Sequence, residues 1–243
     1  MKQTSGQELR TDDGVRLVID LWEASEPPAV VVLCHGFTGH RRDALVMAMA
    51  GELRRAGFTV VTYDARGHGE SSGTCTLGDR EKHDVAAAFD FARSLAERVV
   101  IVGASMGAIA SLRFAADRED VSGVVAISCP AEWKLRTTRA AASAVLTRTR
   151  PGRWVLGRQT GVRVDRVWSN AEPPLSLVER VRCPLAVVHG RGDRFIPATD
   201  AVLLHAAGPE RGRIDIIDGM GHAFTGCDTA VVAAAVQWCL EAS

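Results

Sequence analysis

A five-residue stretch, Gly-Ala-Ser-Met-Gly at positions 103–107, constrains the fold of this chain more than any other feature. It lies between an apolar run at 99–102, typical of a buried strand, and a run at 109–117 typical of a helix. A G-x-S-x-G sequence between a strand and a helix predicts a sharp turn that exposes its central serine, Ser105. The flanking glycines favour this turn because a Cβ at either position would collide with neighbouring backbone.

An exposed serine at such a turn needs partners that activate it. A serine hydroxyl is a poor nucleophile until a base takes its proton, so the motif predicts an acid and a histidine later in the chain. Asp193 follows an apolar run at 185–189, and His222 follows another at 213–217. All three residues fall at the carboxyl ends of predicted strands, where open α/β sheets build their active sites. The sequence therefore predicts a catalytic triad of Ser105, Asp193 and His222.

The triad also requires an oxyanion hole that stabilises the charge on the attacked carbonyl oxygen. The backbone N–H of Met106, directly after the serine, is predicted to be one donor. The second donor is expected from the loop His-Gly-Phe-Thr-Gly at 35–39, where Gly36 permits close backbone approach. The backbone N–H of Phe37 is the candidate.

Short apolar strands alternate with helical patterns along most of the chain. The predicted strands are 9–12, 15–21, 30–34, 59–64, 99–102, 121–127, 185–189 and 213–217, and the predicted helices are 43–56, 79–96, 106–117, 198–206 and 227–241. This alternation predicts a mostly parallel sheet with helices on both faces. One segment, 130–182, interrupts it and is too long for an ordinary connection. We predict that 130–182 is a small cap after the sixth strand, helical over 134–149, and that 1–129 and 183–243 form the core.

Composition excludes several classes of protein. The chain has 243 residues with 47% hydrophobic residues and zero formal net charge, which does not favour binding to nucleic acid. No run approaches the roughly 18 apolar residues of a membrane span, and the first residues contain no apolar leader. The six cysteines show no paired spacing and are expected to be reduced, so a cytoplasmic protein is predicted. Histidines and cysteines do not cluster at ligand spacing, so no metal is expected.

Three motifs together resemble the α/β-hydrolase superfamily: His-Gly-Phe-Thr at 35–38, Tyr-Asp-Ala-Arg-Gly-His-Gly-Glu-Ser-Ser-Gly at 63–73, and the serine motif. They are similar to the branch that holds cinnamoyl and feruloyl esterases, monoacylglycerol-lipase-like enzymes and serine-aminopeptidase-like enzymes. The resemblance covers nearly all of the chain except the cap. It implies an α/β-hydrolase fold with an eight-stranded sheet, and a serine hydrolase that cleaves a carboxylic ester without a cofactor. Ala104 departs from many relatives, which carry histidine before the nucleophile.

The same residues are compatible with other activities. A thioesterase or an acyltransferase would use the same triad with a different leaving group or acceptor, and a peptidase acting on short substrates is a further alternative. A non-catalytic ligand-binding protein on this scaffold usually has a broken triad, whereas this chain has every member. Glu132 is a second candidate acid, although Asp193 lies in the better sequence frame. The acyl group, the leaving group and the oligomeric state stay open.

The cap has an unusual composition. Residues 130–182 contain eleven lysines and arginines against four acids, so the segment carries about +7 and the remainder about −7. These cations form either a solvated surface or a region that attracts an anionic substrate, such as an acyl thioester of coenzyme A or of a carrier protein. Three tryptophans, Trp133, Trp154 and Trp168, lie in the same segment. They are predicted to form either a satellite core or an acyl pocket.

Overall fold

The computed structural model describes residues 3–134, 136–167, 171–210 and 212–243. Eight strands form one sheet: β1 (Gln3–Arg10), β2 (Arg16–Trp22), β3 (Val30–Cys34), β4 (Thr59–Tyr63), β5 (Val99–Ala104), β6 (Gly123–Ile127), β7 (Leu185–Gly190) and β8 (Arg213–Ile217). The helices are α1 (Ala44–Arg55), α2 (Glu81–Arg93), α3 (Met106–Ala115), α4 (Thr138–Arg148), α5 (Arg150–Thr160), α6 (Pro174–Val178), α7 (Thr199–Ala207) and α8 (Thr229–Ala242).

The strand order is β1-β2-β4-β3-β5-β6-β7-β8. β2 pairs antiparallel with both β1 and β4, and every other neighbouring pair is parallel. The prediction of a mostly parallel eight-stranded sheet is therefore confirmed. β3 lies between β4 and β5, so the connections from β3 and from β5 leave in opposite directions along the sheet. Such a reversal opens a crevice at the carboxyl ends of the strands, and β5 delivers Ser105 to it.

Two apolar layers bury the sheet, one on each face. Alternate residues of β3 point to opposite sides because side chains of a strand have a period of two. Val30 and Val32 belong to the layer that includes Phe89 of α2, whereas Val31 and Leu33 belong to the layer that includes Met49 of α1. Because both faces are covered, all five residues of β3 are buried. The sheet is therefore a rigid base for the loops at its edge.

The segment 130–182 contains α4, α5 and α6. The sequence predicts one helix over 134–149, but the structure has α4 at 138–148 and a second helix, α5, directly after it. Thr149 ends the first helix and caps the second, since its hydroxyl accepts a hydrogen bond from the Gly152 N–H at 3.1 Å. Arg-Pro-Gly resembles a loop in sequence, yet proline suits the first turn of a helix, where its missing N–H costs nothing.

None of the helices in the described part of the chain has the length and apolar character needed to cross a membrane.

Candidate active site

Ser105 lies at the turn between β5 and α3 in a conformation that few residues adopt. Its φ is 51° and its ψ is −110°. The backbone on both sides holds this turn, because the Ser105 N–H donates to the Ile127 carbonyl at 2.8 Å and the Ser105 carbonyl accepts from the Ile109 N–H at 3.0 Å. A left-handed φ at a non-glycine residue is strained and persists only where the surroundings enforce it.

The glycines around Ser105 are required by close backbone contacts. A Cβ added at Gly103 would lie 2.5 Å from the Gly107 carbonyl oxygen, and one added at Gly107 would lie 2.5 Å from the Cys34 carbonyl oxygen. Because both neighbours are backbone atoms, they cannot rotate away as a side chain could. The sequence therefore allows α3 to approach β3 closely enough to bring the serine beside the loop that follows β3.

His222 and Asp193 approach Ser105 from two other strand ends. His222 Nε2 lies 3.0 Å from Ser105 Oγ, and His222 Nδ1 lies 2.7 Å from Asp193 Oδ2. With Nδ1–H donating to the carboxylate, Nε2 is free to accept the serine proton. The three residues that the sequence singled out, separated by up to 117 positions, thus form one continuous hydrogen-bonded chain.

The carboxylate of Asp193 is fully buried and well supplied with donors. Its Oδ1 accepts from the Phe195 N–H at 2.8 Å and from the Ile196 N–H at 3.0 Å. Burial alone would raise the pKa of Asp193, but the hydrogen bond from His222 and these two backbone donors outweigh it and hold the pKa below its usual value. Asp193 is therefore a charged partner for the imidazole.

His189 at the end of β7 lies behind the carboxylate. Its side chain is completely buried, and its Nε2 is 3.1 Å from the Ile196 carbonyl oxygen and 3.5 Å from Asp193 Oδ2. Burial lowers the pKa of His189, so the ring is neutral and donates from Nε2. It helps to support the loop that carries Asp193.

Sequence reasoning did not single out Ser128, which supports the histidine loop. Ser128 directly follows β6 and has a φ of 49°. Its Oγ accepts a hydrogen bond from the Ala223 N–H at 3.0 Å, next to His222. Its position in the sequence could have identified Ser128, because a polar residue directly at the carboxyl end of a central strand points into the site region.

The loop after β3 lies against the turn that carries Ser105. A Cβ added at Gly36 would be 3.5 Å from the Cβ of Ser105. His35 anchors the loop, since its Nε2 accepts from the Ala65 N–H at 2.9 Å and its Nδ1 donates to the Gly36 carbonyl at 2.8 Å. Phe37 therefore lies in the same cleft as Ser105, and Met106 begins α3 directly after the serine.

His68 packs against the underside of this loop. Its ring centroid is 5.0 Å from that of His35 and 6.1 Å from that of Phe37. Burial lowers the pKa of His68 to about 3, and burial also lowers the pKa of His35. Both rings are therefore neutral at ordinary pH, and both support the loop after β3.

A cleft of about 960 Å³ contains Ser105 and His222. Apolar side chains from both the core and the 130–182 segment line it: Phe37, Leu45, Leu77, Trp133, Leu146, Leu156, Phe195 and Phe224. Trp133 is 43% exposed, and its indole N–H donates to the Ala171 carbonyl at 2.6 Å. The structure does not bring Trp154 to this cleft, and Trp168 falls outside the described residues.

The charged residues of the cleft are largely paired with one another. Lys134 and Arg136 both contact the Glu132 carboxylate, at 2.9 Å and 2.7 Å, and Arg136 also contacts Asp200 at 3.1 Å. Glu132, the second candidate acid, is thus held by two cations, and its carboxylate has no hydrogen bond to His222 among the described contacts. Arg148 is the other cation of the 130–182 segment that lines the cleft.

The described residues contain one group that could hold a metal ion, Asp12, Asp13 and His83. Two nitrogens of Arg66 already occupy the Asp13 carboxylate, at 2.7 and 2.9 Å. All six cysteines are free thiols.

Comparisons with known proteins agree with this architecture. A model of the family described as serine aminopeptidase, S33, matches residues 25–174. YqkD of Bacillus subtilis (strain 168) is 26% identical over 193 residues, which cover 74% of this chain and 60% of YqkD, so the chain spans about three fifths of that relative. The Pyrococcus furiosus esterase Pf2001 superposes with a TM-score of 0.76 at 20% identity, over 99% of this chain and 92% of that one. Est1E from Butyrivibrio proteoclasticus, with ferulic acid bound, superposes with a TM-score of 0.71 at 19% identity, over 97% of this chain and 98% of Est1E.

Proposed function

The chain belongs to the serine aminopeptidase S33 family and has the α/β-hydrolase fold, and from that premise we propose that it is a serine hydrolase that cleaves carboxylic esters. One observation carries the proposal: hydrogen bonds of 3.0 and 2.7 Å link Ser105 through His222 to a buried, charged Asp193. This arrangement is the minimum that turns a serine hydroxyl into a nucleophile.

The reaction proceeds through an acyl-enzyme. Ser105 Oγ attacks the ester carbonyl carbon while its proton passes to His222 Nε2. The imidazolium then protonates the leaving alkoxide as the carbon–oxygen bond breaks, which releases the alcohol. Water, deprotonated by His222, attacks the acyl-enzyme, and the same proton returns to Ser105 Oγ as the acid leaves. Asp193 holds Nδ1–H towards itself and stabilises the positive ring in both halves.

Backbone N–H groups of Phe37 and Met106 are the proposed oxyanion hole. They belong to the loop after β3 and to the first turn of α3, and the backbone of Gly36 in that loop lies close to Ser105. The N-terminus of α3 adds the favourable end of its dipole. Losing one such donor typically costs about 100- to 1000-fold in kcat.

We further propose that 130–182 acts as the cap over this site. On the inner side of α4, Ala140, Ser143, Ala144 and Thr147 have the spacing of one helical face and line the cleft. The segment is tied to the loop after Asp193, because Thr137 Oγ1 donates to the Phe195 carbonyl at 2.8 Å. This contact couples the position of the cap to that of the triad acid.

The cleft favours an apolar acyl group over an anionic one. Its lining is rich in aromatic and aliphatic side chains, and two of the three cations that 130–182 contributes are paired with Glu132. The esterase Pf2001 and the ferulic acid bound to Est1E are in keeping with an ester of an apolar or aromatic acid. A thioester of coenzyme A lacks comparable support, since its phosphates would meet few free cations here.

The proposal is tested with a fluorophosphonate probe and a chromogenic short-chain ester. We expect the wild type to be labelled and active, and Ser105→Ala to lose labelling and at least about 1000-fold in kcat/KM. Ser143→Ala is the matched control, because it removes a hydroxyl from the same cleft and should keep both the labelling by the probe and the activity. An inactive wild type that the probe does not label at Ser105 would overturn the proposal.

A further inference from the structure

One face of α5 carries a concentrated positive charge. Arg150, Arg153, Trp154 and Arg158 follow the spacing i, i+3, i+4, i+8, which places them on one side of the helix. The opposite side packs inward, where Leu156 is only 6% exposed and lines the cleft of Ser105. The arginine side of α5 therefore faces away from the active site.

The chain after α5 adds two more arginines to this face. Arg163 and Arg166 line a depression of about 400 Å³ together with the arginines and tryptophan of α5. The core anchors this segment, because the Arg163 carbonyl accepts from the Cys75 N–H at 2.7 Å and the Asp165 N–H donates to the Cys75 carbonyl at 2.9 Å. We call Arg150, Arg153, Trp154, Arg158, Arg163 and Arg166 the arginine–tryptophan face.

This face has no neutralising carboxylate of its own. No acidic residue lines the depression, and none of its five arginines forms an ion pair within the described parts of the chain. Asp165 is adjacent in sequence and stays ionised, but its carboxylate accepts from Thr74 Oγ1 at 2.6 Å and from the Val167 N–H at 2.9 Å rather than from an arginine of the face. The five arginines therefore leave a net positive charge on this face.

Exposed apolar side chains accompany the arginines. Among the large apolar residues described, Val167, Trp154 and Val145 are the most exposed, at 77%, 64% and 61%. All three belong to 130–182, and Trp154 lies within the arginine–tryptophan face itself, with the Arg158 guanidinium 5.3 Å from its ring centre. Water is a poor environment for these groups, whereas a lipid headgroup region accepts apolar rings and cations together.

We infer that the arginine–tryptophan face docks onto the surface of an anionic lipid bilayer. Phosphate and carboxylate headgroups would pair with the arginines, and Trp154 would insert at the headgroup level, where indole rings are favoured. A free polyphosphate would satisfy the arginines alone and leave the Trp154 ring, which is 64% exposed, in water. Outside 130–182 the sequence carries about −7, so an anionic surface would attract this segment rather than the core.

The experiment measures binding to vesicles and does not depend on any enzymatic activity. The full chain is sedimented with vesicles of phosphatidylcholine alone and of phosphatidylcholine with phosphatidylserine, at low and at high salt. Each arginine near an anionic surface is worth about fivefold in partitioning. The triple variant Arg150→Gln/Arg158→Gln/Arg166→Gln should therefore bind phosphatidylserine vesicles about 100-fold more weakly.

The triple variant spares two arginines that support the fold. Arg153 donates to the Thr147 and Arg148 carbonyls, and Arg163 donates to the Ser71 and Gly73 carbonyls. The matched control, Arg10→Gln/Arg55→Gln/Arg93→Gln, removes three charges from exposed positions outside 130–182 and should bind within about twofold of wild type. Thermal melting of both variants verifies that they fold.

A second variant separates lipid from a soluble polyanion. Trp154→Ala should weaken vesicle binding by about tenfold at both salt concentrations, since its contribution is apolar. Binding to phosphatidylserine vesicles no tighter than to phosphatidylcholine would overturn the inference, as would equal losses in the triple variant and its control. Arginine-dependent binding to a single-stranded oligonucleotide without vesicle binding would also overturn it and assign the face to nucleic acid.

Discussion

The substitution Gly107→Ala tests whether the close contact between α3 and the end of β3 holds the active site together. The added Cβ would lie 2.5 Å from the Cys34 carbonyl oxygen and 2.7 Å from the His35 carbonyl oxygen. An ordinary contact needs about 3.4 Å, so the two segments must separate by about 0.9 Å. Because the obstructing atoms are backbone, no rotamer change relieves the contact.

This separation moves the two proposed oxyanion donors apart. Met106 lies at the start of α3, and Phe37 lies in the loop that begins at His35. A misplacement of about 1 Å typically costs about 100-fold in rate, so we expect kcat to fall by about that factor. Overpacking should also lower the free energy of unfolding by about 1–3 kcal/mol, which leaves most of the protein folded at room temperature.

The assay combines ester hydrolysis with urea denaturation, and Gly51→Ala is its control. Gly51 lies within α1, where an added Cβ meets only the Arg55 guanidinium at 4.0 Å. Removing a helical glycine there should stabilise the protein by about 0.5–1 kcal/mol and leave kcat unchanged. If Gly107→Ala kept the wild-type kcat and stability, the reasoning from this contact would be refuted.

Two further predictions concern the charged and buried groups. Asp193→Asn keeps the shape of the triad but removes the charge opposite His222. We therefore expect kcat on a chromogenic ester to fall roughly 10⁴-fold, while the melting temperature changes little. A fall in kcat of less than tenfold would show that Asp193 is not a member of the triad. His68 is neutral in the fold with a pKa of about 3, so its contribution to stability is complete above the unfolded pKa near 6.5 and is lost as pH falls. Below pH 6.5 the free energy of unfolding should therefore drop more steeply in the wild type than in His68→Asn, and the two slopes should differ by about 1.4 kcal/mol per pH unit. Parallel curves of unfolding free energy against pH would contradict this.

Much of the fold could be predicted from the sequence because its patterns are local. Buried parallel strands are continuous apolar runs, as in Val30–Cys34, and covering helices show the 3.6-residue period. All eight predicted strands occur in the sheet, although their ends shift. The largest shift is at β1, which begins at Gln3 rather than at residue 9. Edge strands such as β1 are half exposed, so their apolar pattern is weak.

The site residues could be predicted for a related reason. A parallel sheet brings the carboxyl ends of its strands to one edge, so the order Ser105, Asp193, His222 implied that the three would meet there. The distances among the three side chains agree with that expectation, while the catalytic roles stay predictions for the variants above. Ser128 escaped notice because its role is to bind the Ala223 N–H, a contact created only when β6 and the histidine loop pack together.

The sequence by itself determined which side chains meet near Ser105, because the residue types, their order and their positions after apolar strands are properties of the chain. It also established that 130–182 is rich in arginine and tryptophan. Only the tertiary structure decided where those residues face. Trp133 lines the cleft, whereas Trp154 lies outside it beside five arginines. The number of charged residues in a segment does not reveal which way they face. In α5 the arginines are exposed because the opposite side of the helix buries Leu156.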